Sequence, residues 1–125
     1  MIEIKNLSKQ FPNGKFGIQD LSFEFPKGQA VAILGKNGAG KSTLINILAS
    51  IIKKTSGTVN ICGFDLDTDV LSIKQRLGVM TQEIYLDVFL RLHEYFIIYA
   101  SYYGFTFTRA EIEQLLDRVG LLPNI

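Results

Sequence analysis

Residues 30–42 read AVAILGKNGAGKS, an apolar run that enters a glycine-rich turn and leaves through Lys-Ser into a second apolar run, TLINILASII. The turn itself, Gly35, Lys36, Asn37, Gly38, Ala39, Gly40, Lys41 and Ser42, fits G-x-x-x-x-G-K-[ST], the spacing of a phosphate-binding loop. The glycines allow positive φ and close backbone approach, so that successive N–H groups point into one concavity. The helix behind them adds roughly half a positive charge at its N-terminus. In such a loop, Lys41 is expected to reach the β and γ phosphates of a nucleotide and the Ser42 hydroxyl to ligate Mg²⁺, with Thr43 completing the nest.

The flanking patterns give that loop its setting. Ala30 to Leu34 is short and continuously apolar, as in a strand covered on both faces. From Lys41 the apolar residues Leu44, Ile47, Leu48, Ile51 and Ile52 recur at helical spacing, which predicts a helix running to about Lys53-Lys54. Upstream, Ile2 and Ile4 alternate with polar neighbours, as do Ile18, Leu21, Phe23 and Phe25, giving two strands joined by a Pro12-Asn13-Gly14 turn. Downstream, Gly57 to Gly63 alternates with Val59 and Ile61 on one face, Ser72 to Leu77 reads as helix and Leu77 to Gln82 as strand. Two helices follow, from about Leu92 to Gly104 and from Arg109 to Val119, the second with Thr108 as N-cap because Glu111 stands three residues on. Strands around a phosphate-loop helix with a helical tail make an α/β fold.

Composition narrows the partners. The 125 residues suit one domain, and 13 basic against 12 acidic residues leave a net charge of +1 with no like-charge block, so nucleic acid is not expected as a partner. Lys53-Lys54 and Arg76 read as solvated surface cations. With a single cysteine, Cys62, no internal disulfide can form, and the start Met-Ile-Glu-Ile has no secretory character, which points to a reducing, cytoplasmic setting. Cys62 reads as a small, at least half-buried apolar residue; with His93 far away, zinc has no ligand set. The aromatic segment from Tyr95 to Thr108 is too short to cross a bilayer.

Three stretches together resemble the ATP-binding subunit of an ABC transporter. GKNGAGKST is similar to that family's Walker A motif, LSKQF resembles its adenine-stacking loop, and LGVMTQE resembles its Q-loop. The resemblance covers the chain from Ile2 to Pro123. It implies a P-loop NTPase fold of the ABC ATPase type with an N-terminal antiparallel β part. The β part and P-loop would occupy about 1–85, and the start of a helical subdomain about 86–125. It also implies ATP and Mg²⁺ as ligands. Phe11 would stack on adenine, which needs only a flat π face, and Gln82 would contact Mg²⁺ and the attacking water. The partners implied are a second ATPase subunit and a transmembrane permease, which places the chain at the inner face of the cell membrane.

The departures matter as much. Asp87 to Glu94, DVFLRLHE, lacks the Pro, Thr and Arg that many bacterial members carry there, so the start of the next helix is expected to be less defined. The stretch leans toward bacterial drug or antibiotic exporters. The family's signature, Walker B strand and switch histidine are not in these residues, and His93 precedes where the last would stand. The chain thus reads as the first half of the domain, truncated, expected to bind nucleotide without turning it over. The alternatives are a non-transport ABC protein acting on ribosomes or nucleic acid, a small P-loop kinase, disfavoured because Phe11 and Gln82 fit the ABC pattern, or a folded interaction module.

Overall fold

The computed structural model describes residues 1–80 and 89–121, in two compact units, Met1–Val79 and Met80–Ile125. The first unit begins with two long strands, β1 (Ile2–Gln10) and β2 (Phe16–Phe25), joined through the turn at residues 12–14. After the glycine loop come helix α1 (Lys41–Leu48), strands β3 (Ser56–Ile61) and β4 (Phe64–Asp65), and the short helix α2 (Val70–Lys74). The four strands form one antiparallel sheet in the order β2-β1-β3-β4.

The core follows from the apolar periods. In β3, Val59 and Ile61 are buried on one face, as alternation predicts, and Ile61 lies opposite Ile2 in β1. In β1 the phase changes, because Ile4 and Leu7 are both buried although they stand three positions apart, which in a regular strand places them on opposite faces. An irregularity between them absorbs the extra residue: Asn6 takes φ 51°, and its amide donates to Asp20 Oδ1 at 2.8 Å. Helix α1 contributes Leu44, Ile47 and Leu48 to the same cluster.

Several expectations need correction. Residues 30–34 form no strand, and Leu34 is 92% exposed. Being apolar is not sufficient for a strand. A strand needs a neighbour to take its N–H and C=O groups, and every described strand is already paired within the antiparallel sheet. Residues 77–80 likewise lie outside any element, and residues 81 and 82, including Gln82, fall outside the described residues.

Helix α1 stops at Leu48, before Lys53-Lys54. Ser50 turns left-handed at φ 57°, the Ile51 N–H donates to the Asn46 carbonyl at 2.8 Å and the Ser50 N–H to Ile47 at 2.9 Å. This is a Schellman C-cap with serine where glycine is usual. Cys62 is exposed rather than buried, because with Gly63 it makes a two-residue hairpin turn in which both φ values are positive, 53° and 88°. The basic residues are less solvated than expected. Lys54 pairs with Asp67 at 2.7 Å, and the Arg76 guanidinium lies 4.6 Å from the Phe64 ring centre.

In the second unit, α3 (Leu92–Tyr102) and α4 (Arg109–Arg118) bury Ala100, Ile112 and Leu116. The start of α3 is well defined without a threonine cap, since the Glu94 carboxylate accepts the Arg91 backbone N–H at 2.7 Å. At α4 the box expected from sequence forms. Glu111 Oε2 accepts from the Thr108 N–H at 2.8 Å, and the Thr108 hydroxyl accepts from the Glu111 N–H. No described helix is long and apolar enough to cross a membrane.

Candidate nucleotide site

The loop from Gly35 to Gly40 runs directly into α1. Gly38 and Gly40 take φ 83° and 88°, and Gly40 is the N-cap residue, without a side chain to bond the first turn. No acidic residue stands in that turn. Gly40 thus offers the early N–H groups of α1 no side-chain acceptor, and the helix dipole adds positive potential there. The Lys41 ammonium donates to two carbonyls of the loop itself, Gly35 O at 2.7 Å and Lys36 O at 2.9 Å. The cation is thereby held against the start of the loop. The Ala39 N–H closes the turn on the Lys36 carbonyl at 3.1 Å.

Ser42 and Thr43 occupy the first turn of α1. Phe11 follows β1 directly, fixed by its N–H to the Lys15 carbonyl and by the Gly14 N–H to its own carbonyl, both at 2.9 Å. The residue is 36% exposed, with the Lys9 ammonium 5.5 Å from the ring centre. Phe11 and Thr43 converge on Gly17. A Cβ built there would stand 2.7 Å from Phe11 Cε2 and 3.0 Å from Thr43 Cγ2, while a Cβ on Gly40 would strike the Gly17 carbonyl oxygen. The structure therefore brings Phe11 together with Thr43 at the loop. Gln82 lies outside the described residues, so it is not placed relative to them. Gly17 is the member that sequence reasoning missed, since it belongs to no motif and only its neighbours reveal it.

A cleft of about 620 Å³ reaches the loop at Gly38 to Lys41, but the rest of its walls include Leu21, Phe23, Phe25, Val31, Ile33 and Leu34. That lining suits apolar side chains rather than a triphosphate. Among the described residues no group of three or more His, Cys, Asp or Glu is placed to hold a metal.

Residues 18–124 match the family model for ABC transporter. The chain belongs to the ABC transporter family. It is 38% identical over 121 residues to the retinal-specific phospholipid-transporting ATPase ABCA4 of Mus musculus, covering 94% of this chain and 5% of that protein. It is 32% identical over 123 residues to the linearmycin resistance ATP-binding protein LnrL of Bacillus subtilis (strain 168), covering 97% of this chain and 39% of that one. Among solved structures, an ATP-binding subunit of an ABC transporter superposes with a TM-score of 0.85 at 27% identity, over 99% of this chain and 52% of its own. The ATP-binding cassette MJ0796, solved as a dimer in a post-hydrolysis state with ADP and Pi, superposes with a TM-score of 0.74 at 25% identity, over 90% and 52%. The chain thus spans about half the length of these solved cassettes and shares their P-loop NTPase fold of the ABC ATPase type.

Proposed function

We propose that this chain binds Mg-ATP as part of the nucleotide-binding subunit of an ABC transporter. The observation that carries the reading is the Gly35–Gly40 turn at the start of α1, with no acidic residue in the first turn and the Lys41 ammonium bonded back to the loop carbonyls of Gly35 and Lys36. In this reading the backbone from Gly35 to Thr43 cradles the phosphates and Lys41 exchanges its two carbonyl partners for the β and γ oxygens. Charge-assisted bonds of that kind are stronger than the neutral ones they replace. Phe11 offers its exposed face to the adenine ring. Mg²⁺ keeps most of its waters and binds through few protein oxygens plus substrate phosphates, so the Ser42 hydroxyl with the phosphates fits it without a carboxylate cluster. Gln82 would join that shell.

Residues to about 85 would form the β part and P-loop, and residues 86–125 the start of a helical subdomain. A polypeptide of these 125 residues would hold nucleotide without turnover, because phosphoryl transfer depends on positioned carboxylates and water-orienting groups that the expected Walker B strand would supply. The partners in this reading are a second cassette, as the dimeric state of MJ0796 supports, and a permease that holds the subunit at the inner face of the membrane. The resistance function of the Bacillus relative supports an exporter of the drug or antibiotic type, whereas the mouse relative acts on phospholipid. The deciding experiment is titration with fluorescent ATP in Mg²⁺. Wild type should bind and Lys41→Ala should lose about tenfold or more in affinity, as expected for a charge-assisted bond to phosphate. Equal binding by the two would refute the site.

A further inference from the structure

The charges of this chain nearly cancel, but they are not evenly spread. Between Glu24 and Asp65 the sequence has no acidic residue, while Lys27, Lys36, Lys41, Lys53 and Lys54 all fall in that interval. The phosphate loop lies inside it and carries two of these lysines, in different situations. The Lys41 ammonium is tied to the Gly35 and Lys36 carbonyls at 2.7 and 2.9 Å. Lys36 is exposed, and among the described residues its ammonium has no hydrogen-bond or ion-pair partner, the salt bridges there being Lys54–Asp67 and Arg109–Glu113. The tie also fixes a distance. The Lys36 carbonyl oxygen is 2.9 Å from the Lys41 ammonium, and backbone dimensions place that oxygen about 2.4 Å from its own Cα, so the Lys36 Cα stands within about 5 Å of the Lys41 ammonium. A flexible four-carbon stem spans that gap. An anion that draws Lys41 off the Lys36 carbonyl therefore comes within reach of both ammoniums.

We propose that Lys36 is a second phosphate-reading cation, which sets the preference of the site for a nucleoside triphosphate over a diphosphate. This deepens, and rests on, the reading of the loop as the nucleotide site with Lys41 on the β and γ phosphates. Lys41 has a β phosphate to bind in either nucleotide, and gives up two carbonyl partners to do so. Lys36 has no internal partner to release. It gains most from the added negative charge that a γ phosphate brings to the start of the loop, so its contribution is larger for ATP than for ADP.

The test is calorimetric titration of wild type, Lys36→Met and Lys36→Arg with two probes, Mg-ATP and Mg-ADP. Methionine removes the charge from an exposed side chain and keeps the main-chain carbonyl, so the tie to Lys41 is retained. Lys36→Met should weaken Mg-ATP by about fivefold, the upper scale of an exposed ion pair, and Mg-ADP by less than about twofold. Lys36→Arg, which keeps the charge, should hold the wild-type ratio of the two affinities. Equal weakening of both nucleotides would make Lys36 a general source of positive field, and no weakening of either would make it a solvated surface charge. An arginine variant that falls with methionine would show that shape and not charge is read. Each of these three results overturns the proposal. Failure of the underlying reading looks different. A wild type that binds neither nucleotide, or a Lys41→Ala variant that binds ATP as tightly as wild type, removes the site itself, whatever Lys36 does.

Discussion

Ser50 combines two local costs in one side chain. It sits at φ 57°, where an L-residue is strained, and its hydroxyl is shielded from solvent with no hydrogen-bond partner among the described residues. Left-handed backbone costs roughly 1–2 kcal/mol per non-glycine residue, and glycine at this C-cap position recovers that while removing the orphaned oxygen. Glycine also loosens the unfolded chain, which offsets part of the gain. Ser50→Gly is expected to stabilise the protein by about 1 kcal/mol, read as a higher urea midpoint at unchanged slope. A lower midpoint would show that the hydroxyl does something the structure does not display. At this scale the sequence was uneven in what it revealed. Lys41 and Ser42 could be named because their chemistry is tied to fixed spacing, whereas Gly17 and Cys62 could not, because what defines them is a neighbour's ring edge in one case and a hairpin register in the other.

Among the elements, α4 shows what short-range pattern can deliver. Thr108 and Glu111 are three residues apart, so their reciprocal bonds need nothing from the rest of the chain. The Thr108 backbone N–H, followed by its hydroxyl, holds the Glu111 carboxyl below the usual glutamate value. A carboxyl lowered in the folded state contributes stability that is fully present above its ordinary pKa and is lost as pH falls through the lowered one. Titration by carbon-detected NMR should therefore place the Glu111 midpoint below the ordinary glutamate value, and Thr108→Ala, which removes the hydroxyl, should move it part of the way back. An unchanged midpoint in the variant would mean that the hydroxyl contributes nothing to the lowering and that the backbone N–H alone carries it. The segment from Ala30 to Leu34 shows the opposite limit. Its apolar run has the composition of a buried strand, yet a strand exists only where another backbone lies alongside, and no local pattern records which residues, if any, will do so. The length of α1 was misjudged for a related reason. Ile51 and Ile52 keep the helical spacing, but the chain reverses at Ser50, where serine gives no sign of a left-handed cap.

For the whole molecule the leading feature is uncovered apolar surface. Ile97, Tyr99, Tyr102 and Phe105 in and after α3 are 51%, 57%, 74% and 61% exposed, and Tyr99 stacks on Tyr95 at 5.7 Å while meeting Tyr102 edge-on at 6.4 Å. This agrees with the excess of aromatics over what one helix face can bury. A polypeptide of these residues is expected to bind a hydrophobic dye and to sediment as a mixture above the monomer at micromolar concentration, since patches beyond a few hundred Å² promote association. A monodisperse monomer that leaves the dye dark would contradict this. The unladdered stretch before the loop carries a different consequence. Among the described residues its amides and carbonyls have no backbone partner, and with Val31 and Leu34 exposed within it it presents what an unguarded sheet edge presents, a template to which another strand can add. The few residues that lead into the phosphate loop are therefore also, among the described residues, open to recruitment into a foreign β-structure, and nothing in their sequence, with no charge and no proline between Ala30 and Leu34, acts as a gatekeeper against it.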